Sequence, residues 1–288
     1  MQRAILVVLS DTHGGHRHGL LNPSTVLEET DEEGNMLKDY HPQMTRIQEY
    51  LWEQYMKWID EVRAIAGADP LYIAINGDIT CGNKYPQLLV SDRVADQFAI
   101  AEANFWPIYD LKPSAVRIIK GTGAHVFNQG TSEIMVSMLL KAKYPEVSTV
   151  VKDHGLFTVE GVEVDISHHG PPPGSRKWLE GNEARYYLRS AMLDEITAGN
   201  VPPRIYYRAH YHQSVEESLI VKANGNRYKS TLIITPSLAF IDSHTRQTVK
   251  SPSRITHGMS VAELIDSELL RHIPLEKTID IRSKERFE

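Results

Sequence analysis

Five short clusters of Asp, His and Gly carry the chemistry legible in this chain: Asp11-Thr12-His13, Gly77-Asp78, Gly121 to His125, His168-His169 and His210-Tyr211-His212. Carboxylates and imidazoles together suit borderline and hard divalent cations. The D-x-H and H-x-H triplets have a geometric reason behind their spacing. On an extended backbone, residues two apart point the same way, so both side chains of a triplet can meet one ion. A single triplet of this kind arises often by chance. The order of all five, each just past an expected strand, is the stronger signal.

The elements that must position these clusters alternate in type along the front half. Residues 4–9 (AILVVL) form a continuous apolar run of strand length, as in a strand buried on both faces. Residues 16–42 are polar and acidic without a period and read as a long loop or insertion. From 43 to 66, Met44, Ile47, Leu51, Tyr55, Ile59 and Val62 recur every three or four residues and predict an amphipathic helix. A strand over 71–75, a helix over much of 87–106, a strand over 115–119 and a helix over 131–143 follow. The back half reads as short strands at 156–159, 162–167, 204–208, 215–221 and 230–235, with one helix near 183–198. HHGPPPG at 168–174 is a stiff turn. This order predicts an α+β or α/β fold of two sheet layers flanked by helices. Ligands then gather beyond the carboxyl ends of the strands. The expected domain spans 1–243. A polar C-terminal extension over 244–288 packs on it and contributes an edge strand at 260–265.

Bulk properties narrow the function classes. The 288 residues carry a formal charge of −6, with 41% hydrophobic and 24% charged residues. The mean hydropathy is −0.33 and the pI is near 6.1. Such a balance gives no global attraction to nucleic acid or an anionic membrane, although bound cations reverse the field locally. The single cysteine, Cys81, excludes an internal disulfide and fits a reducing compartment. No run is long enough for a membrane span, so a cytoplasmic protein without a membrane partner is expected.

The order of the clusters resembles the calcineurin-like metallophosphoesterases, whose motifs run D-x-H, G-D, G-N-H-D/E, a further His and G-H-x-H. The likeness covers roughly residues 4–240 and implies a four-layer double β-sandwich flanked by helices, with a two-metal site at one end. Carried over, it implies that Asp11, His13 and His212 hold one metal, that Asp78 bridges both, and that His210 and one histidine of the 168–169 pair hold the second. His169 is favoured, because His-Gly-Pro-Pro matches a spelling common in part of that family. His168 is then left on the other side of its strand, towards substrate.

The third motif departs from the pattern. Thr122, Gly123 and Ala124 stand before His125, and no asparagine does. Three readings stay open. His125 keeps the family's acid or phosphate-binding role, with Thr122 or water in the lost metal position; or His125 is itself the missing ligand; or it is a plain loop residue. Asn83 is a further candidate to present an amide to substrate.

The implied activity is phosphoester hydrolysis through a metal-bridging hydroxide, with Asp78 and His125 catalytic. The cofactors are two divalent ions, manganese foremost, with iron, zinc or nickel as alternatives. A phosphodiester in DNA, RNA or a nucleotide is the preferred substrate, in the manner of a nuclease. A phosphomonoesterase is the alternative, and so is a non-catalytic protein-binding module built on the same fold.

The remaining features have plainer readings. Cys81 reads as a small buried filler, Trp52, Tyr55 and Trp58 as helix packing, and His16 and His18 as solvent-facing or substrate-side groups. Arg185, Tyr186, Tyr187 and Arg189 could touch a nucleotide or form a solvated helix face. His41, His154, His244, His257 and His272 have no partner pattern, and the strand-end glycines read as turn punctuation.

Overall fold

In the computed structural model the described residues are 3–31, 33–125, 127, 130–174, 177–241, 253–282 and 285. Among them, several sheets and four α-helices make a mixed α/β fold. The apolar run at the N-terminus becomes β1 (Arg3–Leu9), with six of its seven residues buried. The chain then continues through β2 (Leu27–Thr30), β3 (Met36–Tyr40), α1 (Arg46–Ala66), β4 (Leu71–Asn76), α2 (Val94–Tyr109), β5 (Ala115–Ile119), α3 (Thr131–Lys143) and β6 (Ser148–Lys152). The back half supplies β7 (Gly155–Val159), β8 (Val162–Ile166), α4 (Asn182–Thr197), β9 (Ile205–Arg208), β10 (Val215–Ala223), β11 (Asn226–Ile234), β12 (Arg254–Ile265) and β13 (Glu268–Asp280).

A six-stranded sheet runs in the order β13-β12-β1-β4-β5-β6, and a five-stranded sheet runs β10-β11-β9-β8-β7. Strands β1, β4, β5 and β6 are parallel neighbours, as are β8 and β9. Alternation along β1 sends side chains into two cores. Ile5, Val7 and Leu9 pack with Leu51, Tyr55 and Ile59 of α1 and with Phe105 and Ile108 of α2. Leu6 and Val8 share a second core with Val164 and Ile166 of β8, Ile205 and Tyr207 of β9 and Ile233 of β11, so one core draws on both sheets. On the other side of the five-stranded sheet, Tyr206, Leu232 and Ile234 meet Ala184, Leu188 and Met192 of α4.

The helix expected from 43 begins where a capping box forms between Thr45 and Gln48. Trp52, Tyr55 and Trp58 pack as anticipated, with Tyr55 and Trp58 buried and Trp52 against the same core.

Four expectations are corrected. The 16–42 insertion contains a β2–β3 hairpin. Helix α2 starts at Val94, because Pro86 opens a separate 3-10 turn over Pro86–Leu88. Strand β6 was not anticipated. The expected edge strand at 260–265 is part of the twelve-residue β12, which lies inside the sheet, antiparallel to β1. The edge belongs to β13, where Pro274 is tolerated because an edge strand has a side without ladder bonds. The boundary at 243/244 and His244 lie outside the described residues.

Candidate metal centre

Five strands end at the site: β1 leads into Asp11, β4 into Asp78, β5 into Gly121-Thr122, β8 into His168 and β9 into His210. Backbone bonds lock these ends together. Asp11 N donates to Gly77 O (3.1 Å), His13 N to Asp78 O (3.0 Å) and Ala209 N to His168 O (2.9 Å). The convergence does not use extended backbone, as the triplet spacing suggested. Asp11, His13, Asp78, His210 and His212 all have positive φ, between 43° and 77°. A left-handed backbone is costly for non-glycine residues and tends to persist where function requires it.

Two groups of ligand-type atoms emerge among the described residues: Asp11, Asp78, His168 and His210 in one, and Asp11, His13 and His212 in the other. Asp11 Oδ1 stands 3.5 Å from His212 Nε2, 3.8 Å from His13 Nε2 and 3.9 Å from His168 Nε2. Asp78 Oδ2 stands 3.0 Å from His168 Nε2 and 3.8 Å from His210 Nδ1. Asp11 is therefore the carboxylate common to both groups, where the sequence reading put the bridge at Asp78.

The two histidines of the 168–169 pair are placed differently. His168 is buried (2% exposed) and belongs to the four-residue group, whereas His169 is exposed and belongs to neither group. His168 Nδ1 donates to Asn76 O at 2.6 Å, which turns Nε2 towards the carboxylates. Beyond the five-residue β8, the residue aimed at β4 is the first of the pair.

The residues fit a divalent cation on their own evidence. Asp11 Oδ1, His13 Nε2 and His168 Nε2 are buried polar atoms without a hydrogen-bond partner among the described residues, and they lie close together. Native structures rarely leave such atoms unsatisfied. His212 Nδ1 meets Ser237 Oγ at 3.1 Å, and Ser237 Oγ donates to Ala239 O. Nδ1 therefore carries the proton and Nε2 keeps its lone pair, the kind of outer hydrogen bond that orients a metal-binding histidine.

Electrostatics follow from this crowding. Burial opposes the charge on Asp11, but the neighbouring His13, His212 and His168 imidazoles outweigh it and hold the carboxyl well below its usual range. Asp78 is held low in the same way, chiefly by His168. Burial pushes the His13 imidazole down to about 4. For His168 burial acts downward as well, yet the Asp78 carboxylate lifts it to about 10. His169 is lowered by burial and by its histidine neighbours.

Thr122 takes a specific place beside Asp78. Its N–H donates to Asp78 Oδ1 at 2.6 Å, and its hydroxyl lies 3.2 Å from Asp78 Oδ2 and 3.3 Å from His210 Nδ1. His125 lies in neither ligand group. Its Nδ1 donates to Cys81 O at 2.7 Å, and its ring meets that of His13 edge-on with centroids 4.6 Å apart. Asn83 Oδ1 accepts from Gln97 of α2 at 2.8 Å. His16 is buried rather than solvent-facing, its Nδ1 accepting from His18 N. Cys81 is buried, as read from the sequence.

A scan against family models finds none that matches this chain, and a search of curated proteins finds no match either. No helix among the described residues is long and apolar enough to cross a membrane.

Several supporting residues escaped the sequence reading. Gly77 (φ 80°) is more than punctuation, since a Cβ there would lie 2.4 Å from His168 Nδ1. At Gly121 a Cβ would lie 2.1 Å from Asp78 Oδ1. Glu133 is fully buried and accepts from Gly121 N, and burial pushes its carboxyl up to about 7. Its place in the first turn of α3, twelve residues past Gly121, was the one signal that could have flagged it.

Proposed function

We propose that this protein is a dinuclear metal-dependent phosphoester hydrolase of the calcineurin-like metallophosphoesterase type, built as a four-layer double β-sandwich, and that it cleaves a phosphodiester in a nucleic acid or nucleotide. The observation that carries this reading is the pair of buried Asp/His groups joined at Asp11. The distribution of apolar residues over three cores, one shared by both sheets, supports the layered architecture.

Asp11, His13 and His212 would hold one divalent ion, and Asp11, Asp78, His168 and His210 the other, with manganese preferred and iron, zinc or nickel as alternatives. Bound cations at such a site supply Lewis-acid charge against a phosphate and lower the pKa of water. Every other contribution comes from the chain. Asp11 and Asp78 set the negative potential that retains cations, and the Thr122 N–H fixes one oxygen of Asp78. His125, with Nδ1 committed to Cys81 O, keeps Nε2 for a proton exchanged with the leaving oxygen. In the family's G-N-H spelling the asparagine follows the glycine, as Thr122 follows Gly121 here, and the Thr122 hydroxyl presents an oxygen near Asp78 and His210.

Metal analysis of the purified full chain tests the reading, combined with turnover of bis-p-nitrophenyl phosphate in added manganese. Near-stoichiometric metal and turnover are expected, with both reduced in Asp11→Asn and Asp78→Asn. Absence of bound manganese, iron, nickel or zinc would overturn it. A panel of single- and double-stranded DNA, cyclic nucleotides, dinucleotides and phosphomonoesters then identifies the substrate class.

A further inference from the structure

Next to the strand ends that carry His168 and His210 lies a charged pair, Arg208 and Asp165, outside both ligand groups. Arg208, the last residue of β9, is 2% exposed. Its Nη1 stands 2.6 Å from Asp165 Oδ1, and the Asp165 side chain is 15% exposed. That oxygen has no hydrogen bond among the described residues, so the contact is an ion pair by distance whose angle falls short of a hydrogen bond. Arg208 also donates from Nη1 to Tyr207 O (2.7 Å) and from Nε to Tyr187 OH (3.0 Å). Asp165 Oδ2 meets His154 Nε2 at 2.9 Å.

The position of the pair gives it meaning. Asp165 precedes His168 by three residues on β8, and Arg208 precedes His210 by two on β9. The pair thus ties together the two strands that deliver the two histidines of one group. The turn after His168 rests on the same side chain, since a Cβ at Gly170 would lie 2.5 Å from Arg208 Cγ. The carbonyl of Arg208 accepts from the Thr235 hydroxyl, which lies 2.9 Å from Ser10 Oγ, next to Asp11. The side-chain pair therefore connects the strand ends bearing His168 and His210, while the link towards Asp11 runs through the backbone carbonyl of Arg208, which a side-chain substitution leaves in place.

We propose that Arg208 and Asp165 are positioning residues that fix His168 relative to His210 and so set the geometry of the four-residue metal group. A buried ion pair is weak evidence for stability, because well-packed apolar residues of similar volume often serve equally well. Its directional contacts with named strand ends are what apolar packing would not reproduce. The inference rests on the proposed metal site, but its test does not depend on that site alone.

The full chain is compared as wild type, Arg208→Met, Asp165→Asn and the double variant, each at temperatures well below its unfolding midpoint. In manganese titrations, the variants should weaken one site by about tenfold or more, the range expected when an outer hydrogen-bonding partner is lost. The site of Asp11, His13 and His212 should stay within about twofold. The double variant should regain folding stability relative to Arg208→Met, because no buried charge is left unpaired, while the weakened site stays weak. In metal-free protein, the His168 Nδ1 proton should be visible by NMR in the wild type and exchange-broadened in Arg208→Met. The His212 Nδ1 proton should persist in both.

Equal loss at both sites, no loss at either, or recovery of binding together with stability would overturn the proposal. So would His168 and His212 ring protons that respond alike. A wild type that binds no metal would instead overturn the proposed function, and the ring protons would still decide the role of the pair.

Discussion

His257 is a fully buried histidine on β12 whose two ring nitrogens have no hydrogen-bond partner among the described residues. Its ring lies against Phe240, with centroids 4.2 Å apart. Burial, helped by the nearby His212, pushes its imidazole from 6.5 down to about 3. The native state therefore binds fewer protons here than the unfolded chain does between those two values. Stability from this group is fully present above about pH 6.5 and is lost as pH falls towards 3. At about 1.36 kcal/mol per pH unit, the whole window is worth about 5 kcal/mol, of which about 2 kcal/mol falls between pH 7 and pH 5.

His257→Phe removes the titration while keeping a ring of similar shape among aromatic neighbours. It also removes two unsatisfied polar atoms, which cost roughly 1–3 kcal/mol each. Urea unfolding of chelator-treated protein at pH 5, 6, 7 and 8 measures the effect. The wild type should lose about 2 kcal/mol more than the variant between pH 7 and pH 5. At pH 7 the variant should be at least as stable as the wild type. His13, pushed down to about 4, adds acid sensitivity to both proteins and cancels in the comparison. Parallel stability curves for the two proteins from pH 7 to pH 5 would refute the reasoning.

Glu133 gives the opposite sign. With its carboxyl raised to about 7, stability declines as pH rises from about 4.5 to 7, by on the order of 3 kcal/mol. Glu133→Gln should match the wild type near pH 4.5 and exceed it at pH 8 in denaturant titrations. Gly77→Ala forces a side chain into a left-handed turn at 2.4 Å from His168 Nδ1. It should cost upwards of about 1–2 kcal/mol and lower metal content, as read by thermal unfolding and elemental analysis. His168→Gln should remove metal from the four-residue group, whereas His169→Gln, at an exposed position, should leave metal content unchanged. Equal loss in both variants would return the choice to His169.

Local pattern made much of this protein readable. The apolar run of β1 and the three-to-four spacing of α1 state both the element and the side it buries, because periodicity is a property of neighbouring residues. The same locality placed Asp11, Asp78, the 121–125 turn, the 168–169 pair and His210 at strand ends. It failed where the deciding contact lies far away in sequence. Strand β13 carries charges and Pro274 and does not read as a strand, yet β12 holds it along its whole length. Glu133, Arg208 and Ser237 look ordinary until folding sets them against Gly121, Asp165 and His212.

From sequence alone came the residue types of a candidate metal centre and the strands that lead to it. Tertiary structure alone decided which atoms meet. It set His168 and not His169 among the clustered ligand-type atoms, made Asp11 common to both groups, and set Thr122 against Asp78. The physical reason is that one residue of register reverses a side chain's face. Left-handed turns at Asp11, His13, Asp78, His210 and His212 then re-aim the ends that strand periodicity leaves undetermined.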